Sequence, residues 1–158
     1  MILIPEIPFS LEHVAHTIRR RDSEGFKSTM IVVAEGARTR HGQQFRKQSS
    51  NGEWRLGGIG EMLCQEIESR TGKDTRVCVL GHLQRGGDPT TLDRILGVRF
   101  GVKAVQLAGA GKFGTMVSYQ NYEVLDVPIA EAVHRLKKVP PNCQLVGTAR
   151  AVGVSFGD

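Results

Sequence analysis

Met30-Ile31-Val32-Val33-Ala34-Glu35-Gly36 is the stretch that decides the class of fold. A continuous apolar run of strand length, with no polar alternation, is the pattern of a strand covered on both faces by helices in a parallel sheet. Glu35-Gly36 closes it. Upstream, Ile2-Leu3-Ile4 reads as the end of another buried strand. Ser10 then caps a helix in which Leu11, Val14, Ala15 and Ile18 recur at three- and four-residue intervals, with Arg19, Arg20 and Arg21 on its other face. Downstream, Ile59, Met62, Leu63 and Ile67 repeat the helical spacing until Thr71-Gly72, and Val77-Cys78-Val79-Leu80 supplies a further buried strand.

Pro89 opens a third predicted helix that reaches Leu107, with Leu92, Ile95, Leu96, Val102 and Val105 inward and Arg99 and Lys103 outward. Asp88 stands at its start, ahead of a proline at the first helical position. Thr115-Met116-Val117-Ser118 and Glu123-Val124-Leu125 read as strands of a hairpin around Asn121. Ile129 to Leu136 is a short helix, ended by Pro140-Pro141. Strands alternating with helices imply right-handed crossovers and an α/β fold with a mostly parallel sheet flanked by helices. A length of 158 residues predicts a single domain over 1–158, and 40% apolar residues suffice to fill one core.

Composition narrows the function classes. Cys64, Cys78 and Cys143 are an odd number with no CxxC pair, against a disulfide framework or a cysteine-based zinc site and in keeping with a reducing cytoplasm. The five histidines form no HExxH, so no metal site is expected. Met1 to Phe9 is broken by Pro5 and Pro8 and has no basic lead-in, and no segment approaches membrane-spanning length. The net charge of +5 suits phosphorylated ligands as readily as nucleic acid. Aromatics at 6% offer little stacking platform, and the basic stretch from 36 to 58, expected to be a long loop, holds Phe45 and Trp54 as its aromatics, so no nucleic-acid partner is expected. Gly109-Ala110-Gly111-Lys112-Phe113-Gly114 follows a helix and lacks the ending of a phosphate loop, so it reads as a connector.

In open α/β sheets ligands bind beyond the carboxyl ends of the strands, which selects Glu35 and the turn Gly81-His82-Leu83-Gln84-Arg85-Gly86-Gly87-Asp88. Arg85 can hold a phosphate through two parallel hydrogen bonds, and His82 can add a donor to the same group or to a sugar hydroxyl. The bland alternative is a surface turn with an exposed arginine. Glu35 is an acceptor-only group suited to sugar hydroxyls, or else a solvated acid at a strand end. Arg76 opens the strand that leads to His82 and so stands roughly 17–20 Å from the turn. It is either a surface charge or a residue that reaches a neighbouring subunit.

Gly81 to Thr90, followed by Asp93-Arg94, closely resembles the C-terminal half of 6-phosphofructokinases. Pro5-Glu6-Ile7-Pro8-Phe9, Val33-Ala34-Glu35-Gly36 and Thr75-Arg76-Val77 are similar to the same family in the same order. Gly111-Lys112-Phe113-Gly114-Thr115-Met116 and the long stretch after Glu35 look like the branch that includes pyrophosphate-using members. The resemblance implies transfer of a phosphoryl group from ATP or pyrophosphate, with Mg²⁺, to fructose 6-phosphate, giving the 1,6-bisphosphate in glycolysis. By the same resemblance Glu35 contacts the sugar, His82 and Arg85 hold its 6-phosphate, and Arg76 serves an adjacent subunit of a homo-oligomer.

The family's donor-phosphate segments, catalytic aspartate and metal-holding aspartate belong to its N-terminal half, and no counterpart occurs in these residues. The expectation is therefore a fructose 6-phosphate-binding fragment without catalytic or metal-binding residues of its own. The alternative is a non-catalytic interaction or regulatory lobe that kept the fold. Gly25-Phe26-Lys27 departs from the lysine pair that allosteric bacterial members carry near an effector site.

Overall fold

The parallel pairing expected between the first strand and the Met30 to Ala34 run is present. In the computed structural model, which describes residues 1–42, 46–48, 52, 54–134 and 136–158, β1 (Ile2–Leu3) lies beside β2 (Val32–Val33), with Ile2 opposite Val32 and Leu3 opposite Val33. α1 (Leu11–Ser23) connects them and buries Val14, Ala15 and Ile18, as their spacing requires. Within 36 to 58, expected to be a loop throughout, β3 (Arg46–Gln48) and β4 (Trp54–Leu56) pair antiparallel. The rest of that expectation, over 43–45, 49–51 and 53, lies outside the described residues.

α2 (Ile59–Thr71) buries Ile59, Leu63 and Ile67 and ends where Gly72 turns left-handed at φ 66°. These three pack with Leu3, Phe9 and Val14 in one core. Each such aliphatic side chain contributes about 1.5–3 kcal/mol on burial.

Residues after α2 run back along it. The Cys64 thiol donates to the Thr75 carbonyl at 3.1 Å, and the Thr75 amide donates to the Glu68 carboxylate at 3.0 Å. A Cβ on Gly60 would stand 2.7 Å from Val77 Cγ2, so the close approach of this segment to the helix needs a glycine there. The buried strand expected at Val77 to Leu80 does not form: the segment is unpaired among the described residues, and Val77, Val79 and Leu80 are 45%, 65% and 49% exposed. An apolar run becomes a buried strand only where a neighbouring backbone takes its hydrogen bonds and layers cover both faces; among the described residues no backbone pairs with it, and α2 approaches it at Val77.

The chain divides into two units, Met1–Leu80 with Lys138–Asp158, and Gly81–Lys137. The second begins with a 3₁₀ turn, Gly81–Arg85, and continues into α3 (Thr91–Gly109). The cap is Thr90 rather than Asp88: the Asp93 amide donates to Thr90 Oγ1 at 3.3 Å, while the Thr90 amide donates to the Asp93 carboxylate at 2.8 Å. This reciprocal box satisfies donors that Asp88, preceding a proline without an amide hydrogen, does not take. The Thr90 hydroxyl, which donates to the Asp93 carboxylate at 2.7 Å, and then the Thr90 amide hold that carboxyl below its ordinary pKa.

β5 (Thr115–Gln120) and β6 (Glu123–Pro128) form the expected hairpin, whose two-residue turn places Asn121 and Tyr122 at φ 49° and 66°. Two consecutive left-handed residues match the twist of the flanking strands. α4 (Ile129–His134) follows and stops short of the expected Leu136, residue 135 lying outside the described set.

The faces expected of α3 hold only in part: Leu96, expected inward, is half-buried and Arg99, expected outward, is exposed, whereas the other positions differ. Leu92, Ile95, Val102 and Val105, expected inward, are 57%, 51%, 54% and 74% exposed. Lys103, expected outward, lies 3.7 Å from Asp126 Oδ1, and Arg99 Nη2 donates to the Tyr122 carbonyl at 3.0 Å. α3 is apolar on most of its circumference, so spacing alone cannot choose the face that meets the hairpin. The covered residues are Leu96, Phe100 and Leu107, and Lys103 and Arg99 reach Asp126 and the Tyr122 carbonyl beside them.

The first unit is completed by α5 (Gln144–Ala151), a helix not expected from the sequence, whose Val146 is buried with Ile7 and Phe156. Its final segment then returns beside β1: the Ile2 amide donates to the Ser155 carbonyl at 3.0 Å, and the Ser10 amide to the Gly157 carbonyl at 2.7 Å. The α/β class and its parallel pairing stand, and the antiparallel ladders among the described residues are the two hairpins.

Candidate functional site

Gly81–Arg85 adopts a 3₁₀ helix, in which residues three apart eclipse one another, so His82 and Arg85 share a face of the turn. Its end is closed by the Gly86 amide, which donates to the Leu83 carbonyl at 3.1 Å. A Cβ on Gly86 would stand 3.3 Å from that carbonyl oxygen, and Gly87 follows at φ 104°, a conformation that side chains resist. The glycines therefore shape the turn itself.

His82 and Arg85 are both exposed, and neither makes a hydrogen bond or ion pair among the described residues. Arg85 keeps its five-donor fork available for a doubly charged oxyanion, and His82 adds a ring donor on the same side.

Glu35 stands two residues beyond β2 in a turn closed by the Ala37 amide donating to the Ala34 carbonyl at 2.9 Å. Its carboxylate is exposed and has no partner among the described residues. Arg76 is 90% exposed and lies 3.7 Å from Asp74, itself 80% exposed. A pair this solvated adds about 0–1 kcal/mol and leaves the guanidinium free to engage another group. Glu35 and Arg76 belong to the first unit, His82 and Arg85 to the second.

Each unit also carries an open groove. One of about 290 Å³ in the first unit is lined by Thr17, Arg20, Arg150, Ser155 and Asp158. One of about 450 Å³ in the second lies between α3 and β6. None of the four predicted residues lines either groove. Arg150 and Asp158 were not singled out in the sequence, because their pairing depends on how the chain returns after α5. Among the described residues no three His, Cys, Asp or Glu side chains come together as metal ligands.

Fold and turn thus define an α/β protein that presents free anion donors on a glycine-bounded turn following an apolar segment. The family model for phosphofructokinase matches residues 1–108, and the chain belongs to the phosphofructokinase family. It is 49% identical over 158 residues to an ATP-dependent 6-phosphofructokinase of Chloroflexus aggregans, covering 100% of this chain and 43% of that protein. It is 46% identical over 144 residues to a pyrophosphate–fructose 6-phosphate 1-phosphotransferase of Amycolatopsis methanolica, covering 89% of this chain and 42% of that one. Among solved structures, the phosphofructokinase from Saccharomyces cerevisiae superposes with a TM-score of 0.57 at 26% identity, over 84% of this chain and 17% of that one. The chain thus spans less than half the length of these curated relatives.

Proposed function

We propose that this chain supplies fructose 6-phosphate contacts to a 6-phosphofructokinase acting in glycolysis. Arg85 takes the 6-phosphate through two parallel hydrogen bonds, and His82 donates to the same group. Glu35 accepts from sugar hydroxyls, and Arg76 contacts the sugar phosphate held by an adjacent subunit of a homo-oligomer. The observation that carries this reading is the shared face of His82 and Arg85 on a turn where neither has another partner. Three unpaired thiols suit a reducing cytoplasm.

Phosphoryl transfer demands a donor, Mg²⁺ and an acceptor held in line with the charge neutralised. The residues here fit the acceptor alone. No set of metal ligands converges among the described residues, so no step through Mg²⁺ is assigned to this chain. ATP or pyrophosphate, with the metal, is assigned to the portion of such an enzyme that this chain does not match. The chain alone binds the sugar phosphate and does not turn over.

Calorimetric titration with fructose 6-phosphate tests the reading. Saturable heat is expected, and Arg85→Ala is expected to abolish it, whereas equal heats from both proteins would remove Arg85 from the site. A coupled assay with ATP or pyrophosphate is expected to show no turnover, and robust product formation would overturn the division of labour. The uncovered apolar face of α3 favours a second reading, a lobe that associates without binding substrate. Absence of any titration heat selects it.

A further inference from the structure

His82 and Arg85 stand on a turn that packing does not hold. Every residue from Gly81 to Thr90 is exposed, and among the described residues no side chain from 81 to 89 makes a hydrogen bond or ion pair. The Gly86 amide closes the turn on the Leu83 carbonyl, but that bond is internal and sets no direction for the turn as a whole. Gly86 and Gly87 then follow, the residue type with the widest backbone freedom. With nothing more to restrain it, the shared face of His82 and Arg85 would sample many directions, and ordering it on binding would lower affinity.

The element that the turn leads into is anchored. α3 lies against the hairpin through Leu96, Phe100 and Leu107, and Arg99 donates to the Tyr122 carbonyl at 3.0 Å. The chain enters it through Pro89, whose ring fixes φ, and then Thr90. There three hydrogen bonds join only two residues. The Thr90 amide donates to Asp93 Oδ2 at 2.8 Å, the Thr90 hydroxyl donates to the same oxygen at 2.7 Å, and the Asp93 amide donates back to Thr90 Oγ1 at 3.3 Å. A helix cap needs only the last of these. The other two restrain the Thr90 backbone and its rotamer together, at the point where the chain passes from the glycines into the helix.

We propose that Asp93, with Thr90, is a positioning residue for the sugar-phosphate site: the reciprocal box holds the end of the turn against α3, so that the Arg85 fork and the His82 ring meet the 6-phosphate from one fixed direction. The proposal rests on the assignment of His82 and Arg85 to fructose 6-phosphate. Asp93 is not itself a contact, because a carboxylate beside a phosphate dianion repels it. Its Oδ2 is engaged by Thr90, and its effect passes through the backbone. Catalytic and binding groups perform only when the residues behind them fix their geometry, and here the box is the polar link among the described residues that can do so.

The test titrates the 158-residue chain and its variants with fructose 6-phosphate by calorimetry and measures backbone amide relaxation of the ligand-free proteins. Asp93→Ala and Thr90→Val break the box, and each is expected to raise the dissociation constant at least tenfold. The double variant is expected to lose no more than threefold beyond either alone, because the two residues act as a unit. Asp93→Glu, which can rebuild the box, and Thr90→Ser are expected to stay within threefold of the native chain. Native circular dichroism is expected throughout, since the covered side of α3 is untouched; Asp93→Asn, which keeps the shape and weakens both bonds, gives the same reading at threefold or more if the alanine variant unfolds. In Asp93→Ala the order parameters of the Arg85 and Gly86 amides are expected to fall below about 0.6, and to return in Asp93→Glu. A lowered urea midpoint with native affinity would overturn the proposal and leave Asp93 as a stabiliser of α3 alone. An equal further loss from Asp93→Ala in an Arg85→Lys background would overturn the route through the fork. Absence of heat from the native chain removes the substrate assignment, whereas unchanged order parameters remove the positioning role whatever the titration shows.

Discussion

Arg150 grips Asp158 with both arms of its guanidinium, Nη1 donating to Oδ1 at 3.0 Å and Nη2 to Oδ2, while its central carbon lies 4.9 Å from the centroid of the Phe156 ring. This contact ties α5 to the final segment that returns beside β1. The Arg150 hydrogen bonds hold the Asp158 carboxyl below its ordinary pKa, against an opposing effect of burial. A depressed folded-state value means that the stabilisation is complete above the unfolded value of about 3.9 and is lost as pH falls through the folded value.

Asp158→Asn is therefore expected to lower the melting temperature at neutral pH. For a pair this solvated, with side chains 43% and 32% exposed, the loss is about 0.5–1 kcal/mol. Thermal melts of both proteins across the acid range should begin to draw together below about pH 4 and coincide only below the lowered folded-state value. A gap that persists undiminished to strong acid would assign the loss to packing instead of charge.

Gly157 fixes how closely the same segment approaches the core. Its φ is 77°, and a Cβ there would stand 2.9 Å from Leu3 and 3.0 Å from Phe9, both fully buried. Gly157→Ala combines left-handed strain with overpacking and is expected to cost about 2–4 kcal/mol. Urea denaturation checks this, and an unchanged midpoint would mean that the segment can shift outward at no cost.

Thr39 bridges to Phe9 and is 8% exposed, yet its Oγ1 has no hydrogen-bond partner among the described residues. An unmade hydrogen bond of this kind costs about 1–3 kcal/mol, and valine has nearly the same shape without the hydroxyl. Thr39→Val is expected to raise stability by about 1 kcal/mol. Measured destabilisation of that size would show that the hydroxyl has a partner in solution.

These core contacts follow the helices whose sequence patterns were the clearest. α1 and α2 each show apolar residues on one face and charge on the other, and in each the spaced positions face the core, buried except for Leu11 and Met62, which are partly buried against it. Val77 to Leu80 reads as a buried strand because its composition reports the need for cover, whereas cover itself depends on what lies alongside. The faces of α3 were legible only in part for a related reason: Ile95, Val98, Val102 and Val105 stay exposed while Leu96, Phe100 and Leu107 are covered, and spacing within an apolar helix does not make that choice. α5 is too short, and follows two prolines too closely, to leave a periodic signal. The anion turn was legible because glycines and a cation–imidazole pair act locally, within one turn of the backbone.

That locality yields the sharpest test of the turn itself. Arg85 is exposed and unpaired among the described residues, so replacing it perturbs no fold contact and reads binding alone. Arg85→Lys keeps the charge and removes the planar fork, leaving a point charge where two parallel hydrogen bonds are proposed. Loss of one charge-assisted hydrogen bond corresponds to about 1.5–3 kcal/mol, or roughly 10- to 150-fold in the dissociation constant for fructose 6-phosphate. Arg85→Lys with native affinity in a calorimetric titration would reduce the arginine to a source of field, and a structure in which the fork engages the phosphate could no longer be maintained.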